Sequence, residues 1–538
     1  MALYTLSVVL FFFFAITHAQ NAVVDLGYAR YRGQRNSNGV SEWLGIRYAA
    51  PPVGNLRFSA PREPRKMDGV QYASRHGALC IPTGKYPMPN NTAEDCLFLD
   101  VYAPAKSEKS KLLPVFVWIQ GGGFNENSQY NYNGTGLIKA SDMGIVVVTF
   151  NYRVGPYGFL SGEEVVEGGS VNNGLKDQIM VLKWVQKHIS KFGGDPDHVV
   201  VGGASAGAAS VTLLLSAYGG RDDHLFHAAV AESQSFAGML RLNESQFAYN
   251  NLVIRTGCAS YDDTLACLRN LDINSLQREN INTPLPTAQA PPLYLYGPTI
   301  DDELVPDYTY RLFRKGKFIK VPVIFGDVTD EGTSFVPRNI SDVGDADTFI
   351  QSQFNEIQLE HLARINEWYL QENQTQQYPG AGPYWKPTST AYGEIRYTCP
   401  GVDVSSIFAK AGVPSWNYHY AVLDPALEAS GDGTPHIAER FAIFGLENVS
   451  DKDKVPASYY TTNAPIIPVV QGYWTSFIKS FDPNPHRYAG TPKWKTWGQN
   501  EGYRRIFLRT GETRMESVPM VQRDRCEYLV SIGTELGQ

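Results

Sequence analysis

The chain has 538 residues, a formal net charge of −7, 43 % apolar residues and 12 % aromatic residues. That composition excludes a disordered chain and leaves enough apolar mass for a large core. The acidic balance argues against nucleic acid or an anionic membrane surface as a partner.

In chain order, Leu6 to Ile16 is almost wholly apolar and runs into Thr17-His18-Ala19, which suits cleavage after Ala19. The run is shorter than the roughly 20 residues needed to span a bilayer. No lysine or arginine precedes it, a departure from the usual signal pattern. Residues 1–19 are read as a signal peptide and 20–538 as a single secreted domain with no stable membrane insertion. Six cysteines suit that compartment, although arithmetic cannot choose their pairing. Asn-x-Ser/Thr triplets at Asn90, Asn133, Asn243, Asn339, Asn373 and Asn448 permit glycosylation.

Strand patterns at Val23 to Tyr31 and Glu42 to Tyr48 precede a proline-rich stretch, Pro51 to Pro64. Leu112 to Gln120 is an apolar strand that ends in Gly121-Gly122-Gly123-Phe124. Gly144 to Asn151 carries the continuous Val/Ile run of a strand buried on both faces. Asn173 to Lys191 reads as an amphipathic helix, with Leu175, Ile179, Leu182, Val185 and Ile189 at helical spacing. Phe226 to Glu232 and Val321 to Phe325 are further strands. Strands alternating with helices imply an α/β fold, a mostly parallel sheet covered on both faces. Asp347 to Gln371 is helical and Gln377 to Pro387 is a Gly/Pro/Tyr loop; both read as insertions over the sheet's active edge. No zinc-type spacing, Walker loop, repeat or linker is present, so neither metal nor cofactor is expected.

Val199-Val200-Val201-Gly202-Gly203-Ala204-Ser205-Ala206-Gly207 carries the most chemistry. It reads as a buried strand, a Gly-x-Ser-x-Gly turn and the start of a small-residue helix. Such a turn lifts one serine hydroxyl clear of the sheet edge, with a helix amino terminus beneath it. The alternative for the pentapeptide alone is a plain glycine-rich turn.

The rest of the chain resembles the type-B carboxylesterase/lipase family of the α/β-hydrolase superfamily, which includes cholinesterases and fungal lipases. Six segments carry the likeness in the family's order: GIRYAAPPVGNLRF (Gly45 to Phe58), EDCLFLDVYAP (Glu94 to Pro104), GGGF, NYRVGPYGFL (Asn151 to Leu160), NNGLKDQ and FGGDP (Phe192 to Pro196). Arg47 stands where the family usually has proline. In this superfamily a serine, an acid and a histidine follow one another along the chain.

A serine needs an imidazole to take its proton, and the imidazole needs a carboxylate to hold its tautomer. Beyond Ser205, with room for an acid between, lie His361, His419, His436 and His486. His361 falls on the predicted helix, His419 in a strand interior and His486 in a Pro/Asn loop. His436 occupies a turn-rich loop that opens a helix, and it matches the family's His-x-x-Glu pattern with Glu439. For the acid, Asp327, Asp330 and Glu331 are chemically equivalent candidates after the strand Val321 to Phe325. The resemblance selects Glu331, through the motif Asp-Glu-Gly. It also implies oxyanion N–H donors at Gly122, Gly123 and Ala206, and scaffold ion pairs Arg57–Glu94 and Arg153–Asp177. The implied disulfides are Cys80–Cys96, Cys258–Cys267 and Cys399–Cys526.

Candidate substrate contacts are Phe124, Ala204, Tyr86, Leu293 and Tyr294, with Leu293 to Tyr296 forming the acyl-side wall. The Cys80–Cys96 segment has no tryptophan, and Ala204 replaces the acidic residue that cholinesterases carry there, so affinity for quaternary ammonium is not expected. The same segment is short and rich in proline, a poor amphipathic flap. The expected activity is therefore hydrolysis of soluble short- to medium-chain or aromatic esters. An interfacial triacylglycerol lipase is the alternative, with Ile365, Trp368 and Tyr369 as a substitute lid. A non-catalytic adhesion member of the fold is the remote one.

Overall fold

The computed structural model describes residues 23–105, 111–127, 132–498 and 502–538. The apolar leader, residues 1–19, lies outside the described residues.

Eleven strands form one central sheet: β1 (Gln34–Arg35), β2 (Val40–Arg47), β3 (Phe98–Pro104), β4 (Leu113–Ile119), β5 (Val146–Phe150), β6 (Gly194–Ala204), β7 (Ala228–Glu232), β8 (Val323–Val328), β9 (Ser415–Tyr420), β10 (Arg504–Leu508) and β11 (Arg514–Ser517). Their spatial order is β1-β2-β3-β5-β4-β6-β7-β8-β9-β10-β11. From β5 across to β10 every neighbour pairs in parallel, while both flanks are antiparallel. The order reverses at β5-β4-β6. In open α/β sheets, sites assemble outside the carboxyl ends of strands at such a point.

Period-two alternation sends successive side chains to opposite faces. Val115, Val117, Val199, Val201, Val323 and Phe325 join one core layer, beneath the helices Asn173–His188 and Ala206–Ser216. Phe116, Trp118, Val200, Val230 and Ile324 join the other, against the helix Ile466–Ser480 with its buried Val470, Trp474 and Phe477. The central strands are apolar at consecutive positions because both faces are covered. Each buried Val, Leu or Phe contributes about 1.5–3 kcal/mol.

Several boundaries differ from the sequence reading. The first strand pattern is a pair, Val23–Asp25 and Arg30–Arg32, because the Asp25 carboxylate accepts Gly27 N–H at 2.8 Å and turns the chain back. β8 runs three residues past Phe325, since Gly326 to Val328 pair with Tyr418 to Tyr420. The long helical stretch is two helices, Val343–Gln353 and Leu359–Tyr369. The loop beginning at Gln377 ends early, where Trp385 starts a helix and donates its indole N–H to Val336 O at 3.1 Å.

The disulfides join Cys80 to Cys96, Cys258 to Cys267 and Cys399 to Cys526. The last ties the helix Cys399–Lys410 to the helix Met520–Ser531 across 127 residues of sequence, a closure that restricts the unfolded chain strongly.

Among the glycosylation triplets, Asn90, Asn243, Asn339 and Asn373 are exposed. Asn448 is not: its Nδ2 donates to Phe444 O at 3.1 Å, and its carbonyl accepts Asn133 N–H at 2.9 Å. When the chain is made in a glycosylating secretory host, glycopeptide mapping is expected to find glycan at the four exposed asparagines and none at Asn448. Full occupancy of Asn448 would contradict this packing.

Candidate active site

Ser205 follows β6 directly and takes φ 59° and ψ −123°, a conformation that a residue with a side chain rarely adopts. The turn closes because its flanking glycines carry no Cβ. A Cβ on Gly207 would lie 2.1 Å from Ile119 O, and one on Gly203 would lie 2.6 Å from the Gly207 backbone. β4 pairs with β6 up to Ile119↔Gly203, so the loop after β4 arrives beside Ser205. In that loop Gly122 and Gly123 have φ of 115° and 58°. No hydrogen bond from either N–H occurs among the described residues. Ala206 is the first helical residue, and its N–H has no intrahelical partner. Together the turn and the helix start supply free N–H groups at one end of the sheet.

The carboxyl ends of β7, β8 and β9 complete the cluster. Glu331 lies just past β8, is 2 % exposed, and accepts Val328 N–H at 3.0 Å. Its other oxygen accepts from His436 Nδ1. The bridge Asp330↔Pro435 brings the two loops together. Asp330 reinforces it, accepting Thr434 N–H at 2.8 Å and Lys386 Nζ at 2.7 Å. Ser233, after β7, accepts Ile437 N–H at 3.1 Å. His436 is held from both sides, its ring packed between Phe335 and Tyr397 at 4.8 and 4.7 Å between centroids.

Burial drives the electrostatics. It pulls the His436 imidazole down to about 3 and pushes the Glu331 carboxyl well above its usual range. The uncharged imidazole is therefore favoured, with Nδ1 and Glu331 sharing a hydrogen bond. Its Nε2 is buried and has no hydrogen-bond partner among the described residues. In the tautomer with the proton on Nδ1, that nitrogen presents a free lone pair, the form a general base requires. Behind it Glu439 accepts from Tyr418 OH at 2.7 Å and Ser233 Oγ at 3.3 Å, and burial beside Glu331 raises it to about 7. Glu232 accepts Trp474 Nε1–H at 2.7 Å and is raised well above its normal range by burial and by Glu439.

Two of the other three histidines have their rings engaged elsewhere. His361 bonds Tyr528 OH at 2.7 Å and Glu535 at 2.9 Å, and His419 bonds Glu516 and Thr329, each at 2.9 Å. His486 stays in its loop, where its backbone N–H donates to Ser476 Oγ. Asp327 is neither solvated nor a helix cap: it is 5 % exposed and accepts Thr398 Oγ1–H at 2.7 Å.

Two recesses approach the cluster. A cavity of about 120 Å³ meets the glycine turn and is lined by Gly123, Phe124, Met239, Tyr294 and Tyr392. A groove of about 800 Å³, lined by Ser334, Pro435, His436 and Phe441, meets the imidazole. Ser205, 9 % exposed, lines neither. Three of the five candidate substrate contacts are not in the cavity. Ala204 is fully buried in the core, because alternation along β6 turns it under the sheet. Leu293 is not part of the cavity lining, and its N–H donates to Gln353 at 2.9 Å. Tyr86 is 46 % exposed beneath Arg278. Tyr392, Met239, Tyr397 and Ser233 gave no sequence signal, since aromatic, apolar and small polar residues are common everywhere.

Both scaffold pairs form. Arg57 forks onto Glu94 at 2.6 and 2.8 Å, and Arg153 onto Asp177 at 2.8 and 2.7 Å. Arg47, in the place of the usual proline, pairs with Asp95 and lies 4.5 Å above the Phe98 ring. No group of three or more His, Cys, Asp or Glu able to hold a metal ion occurs among the described residues. None of their helices is long and apolar enough to cross a membrane.

Residues 20–524 match the model of the carboxylesterase family. The chain belongs to that family. It is 30 % identical to secreted lipase 4 of Gibberella zeae over 515 residues, covering 90 % of this chain and 87 % of that one. It is 36 % identical to lipase 1 of Geotrichum candidum over 348 residues, 56 % of this chain and 61 % of that one. The crystal structure of Aspergillus niger EstA superposes with a TM-score of 0.92 at 42 % identity, over 96 % of this chain and 99 % of the other. As a carboxylesterase-family member, the protein is an α/β-hydrolase and a carboxylic ester hydrolase.

An NMR titration of the His436 imidazole is expected to show it uncharged through 6.5, its ordinary value, and to place its midpoint well below that. A midpoint at the ordinary value would contradict the burial described.

Proposed function

We propose that this chain is a secreted serine carboxylesterase in which Ser205, His436 and Glu331 act as one catalytic unit. The observation that carries the reading is the buried, unpartnered Nε2 of His436, with Nδ1 held by Glu331. Nε2 takes the Ser205 proton as Oγ attacks the ester carbonyl. The carbonyl oxygen becomes an oxyanion, received by N–H groups of Gly122, Gly123 and Ala206. Each such donor contributes about 3 kcal/mol to the transition state. The imidazolium hands its proton to the leaving alcohol, and water repeats the sequence on the acyl-enzyme. Formation of imidazolium costs least if Glu331 is ionised at that moment, which is the role of their direct hydrogen bond.

Residues 20–538 are proposed as one mature domain, released by cleavage after Ala19. Relatives named as secreted lipases support the compartment. Preference for soluble short- to medium-chain or aromatic esters rests on two features. The Cys80–Cys96 segment is short, and most of it is exposed or half-buried. On the helix Leu359–Tyr369, Ile365 and Tyr369 are buried and Trp368 packs on Tyr528 at 5.1 Å, so the face has no free apolar surface to offer as a lid.

Ser205→Ala and His436→Ala are each expected to lower kcat by on the order of 10⁴ to 10⁶, and the double variant to lose little more. Near-normal turnover in folded Ser205→Ala would refute the mechanism. With tributyrin, the rate is expected to rise hyperbolically through the solubility limit. A jump in rate at that limit, with strong trioleate hydrolysis, would replace the esterase reading by the lipase one.

A further inference from the structure

Arg396 sits on a single π-helical turn, Glu394–Thr398, wedged between the helices Trp385–Gly393 and Cys399–Lys410. π-Turns inside helices recur at functional sites. Two of the turn's other polar side chains are committed: Glu394 pairs with Arg525 and accepts from Gln522 at 3.0 Å, and Thr398 donates to Asp327. Arg396 is not. Among the described residues no carboxylate comes within 4.0 Å of its guanidinium and no hydrogen bond reaches it.

The guanidinium is half-buried and lines the cavity that begins at Gly123. It reaches across to Gly238, where an added Cβ would meet Nη1 at 3.6 Å. Tyr294 and Tyr392 line the same cavity, both phenols feel the Arg396 charge, and neither hydroxyl has a hydrogen-bond partner among the described residues. Tyr294 also lies against the oxyanion turn, since a Cβ on Gly123 would meet its ring at 2.3 Å. The carboxylates at the cavity's rim are engaged elsewhere: Glu244 with Arg241 N–H at 2.7 Å, Glu535 with His361 at 2.9 Å, and Glu356 with Asn355 at 3.1 Å.

This guanidinium faces the cavity rather than a protein carboxylate, and a carboxylate is the group whose geometry matches its fork. We propose that Arg396, with the hydroxyls of Tyr294 and Tyr392, forms a carboxylate-binding subsite, and that the preferred substrates are esters whose acyl group carries a second, free carboxylate. This deepens the ester-hydrolase reading and rests on it. The scissile carbonyl sits at the Gly123 end of the cavity and the free carboxylate at the Arg396 end. Hydrolysis of such a half-ester consumes one water and releases an alcohol and a dicarboxylic acid.

The test compares monoethyl adipate with ethyl adipamate, in which a carboxamide replaces the carboxylate. The wild-type protein is expected to prefer the acid by about tenfold in kcat/KM, chiefly through KM. Arg396→Met is expected to abolish that ratio and Arg396→Lys to keep part of it. Equal rates on the two wild-type substrates, or an unchanged ratio in folded Arg396→Met, would overturn the subsite. Preference for 5-acetoxypentanoate, with its carboxylate on the alcohol side, would overturn the acyl-side assignment. Calorimetry of adipate against adipamide on the wild-type protein keeps the proposal testable if the Met variant does not fold. Because binding is independent of turnover, adipate binding without hydrolysis of any ester would refute the catalytic reading and leave the subsite standing.

Discussion

The backbone conformation of Ser205 is the constraint on which the rest of the site depends. A serine at φ 59° is disfavoured by about 1–3 kcal/mol, and it persists only where its surroundings leave no alternative. Here β6 is locked between β4 and β7 by parallel ladders, and the helix Ala206–Ser216 is sunk wholly in the core. The chain must turn within one residue, and Gly203 and Gly207 let the helix pass against Ile119 at a distance that no Cβ would permit. The strain therefore lifts the hydroxyl while the sheet absorbs its cost.

Sheet register then carries the remaining groups to that point. Ile119↔Gly203 delivers the glycine turn, Ala204↔Glu232 delivers Ser233, and the extended pairing of β8 with β9 delivers Glu331. His436 comes from a loop with no strand of its own, and it is secured by Asp330 and Ser233. This explains the buried carboxyls nearby. Burial pushes all three carboxyls up, helped by Asp327 and Asp330 at Glu331, by Glu331 at Glu439 and by Glu439 at Glu232.

The Arg396 cavity follows the opposite logic. The scaffold arginines Arg57 and Arg153 are saturated by carboxylates and backbone carbonyls, so each is part of the protein's own structure. Arg396 is left with aromatic neighbours and open space, so its charge is directed at whatever enters.

The α/β architecture and the strand, turn and helix around Ser205 were legible in the chain because they depend on local pattern. Continuous Val/Ile runs mark strands buried on both faces, and glycines flanking a serine mark a turn that only small residues can make. The family's motifs supplied the partners that spacing alone left open among Asp327, Asp330 and Glu331. Tertiary structure decided what depends on contacts distant in sequence. It gave Asp327 and Asp330 to scaffold bonds, buried Ala204, and left Tyr86 and Leu293 out of the cavity lining. It also packed the face of Ile365 and Tyr369 into the protein. Arg396 shows the reason most clearly. Its residue type says only that a charge is present, and whether that charge is neutralised depends on carboxylates that the fold brings near or keeps away.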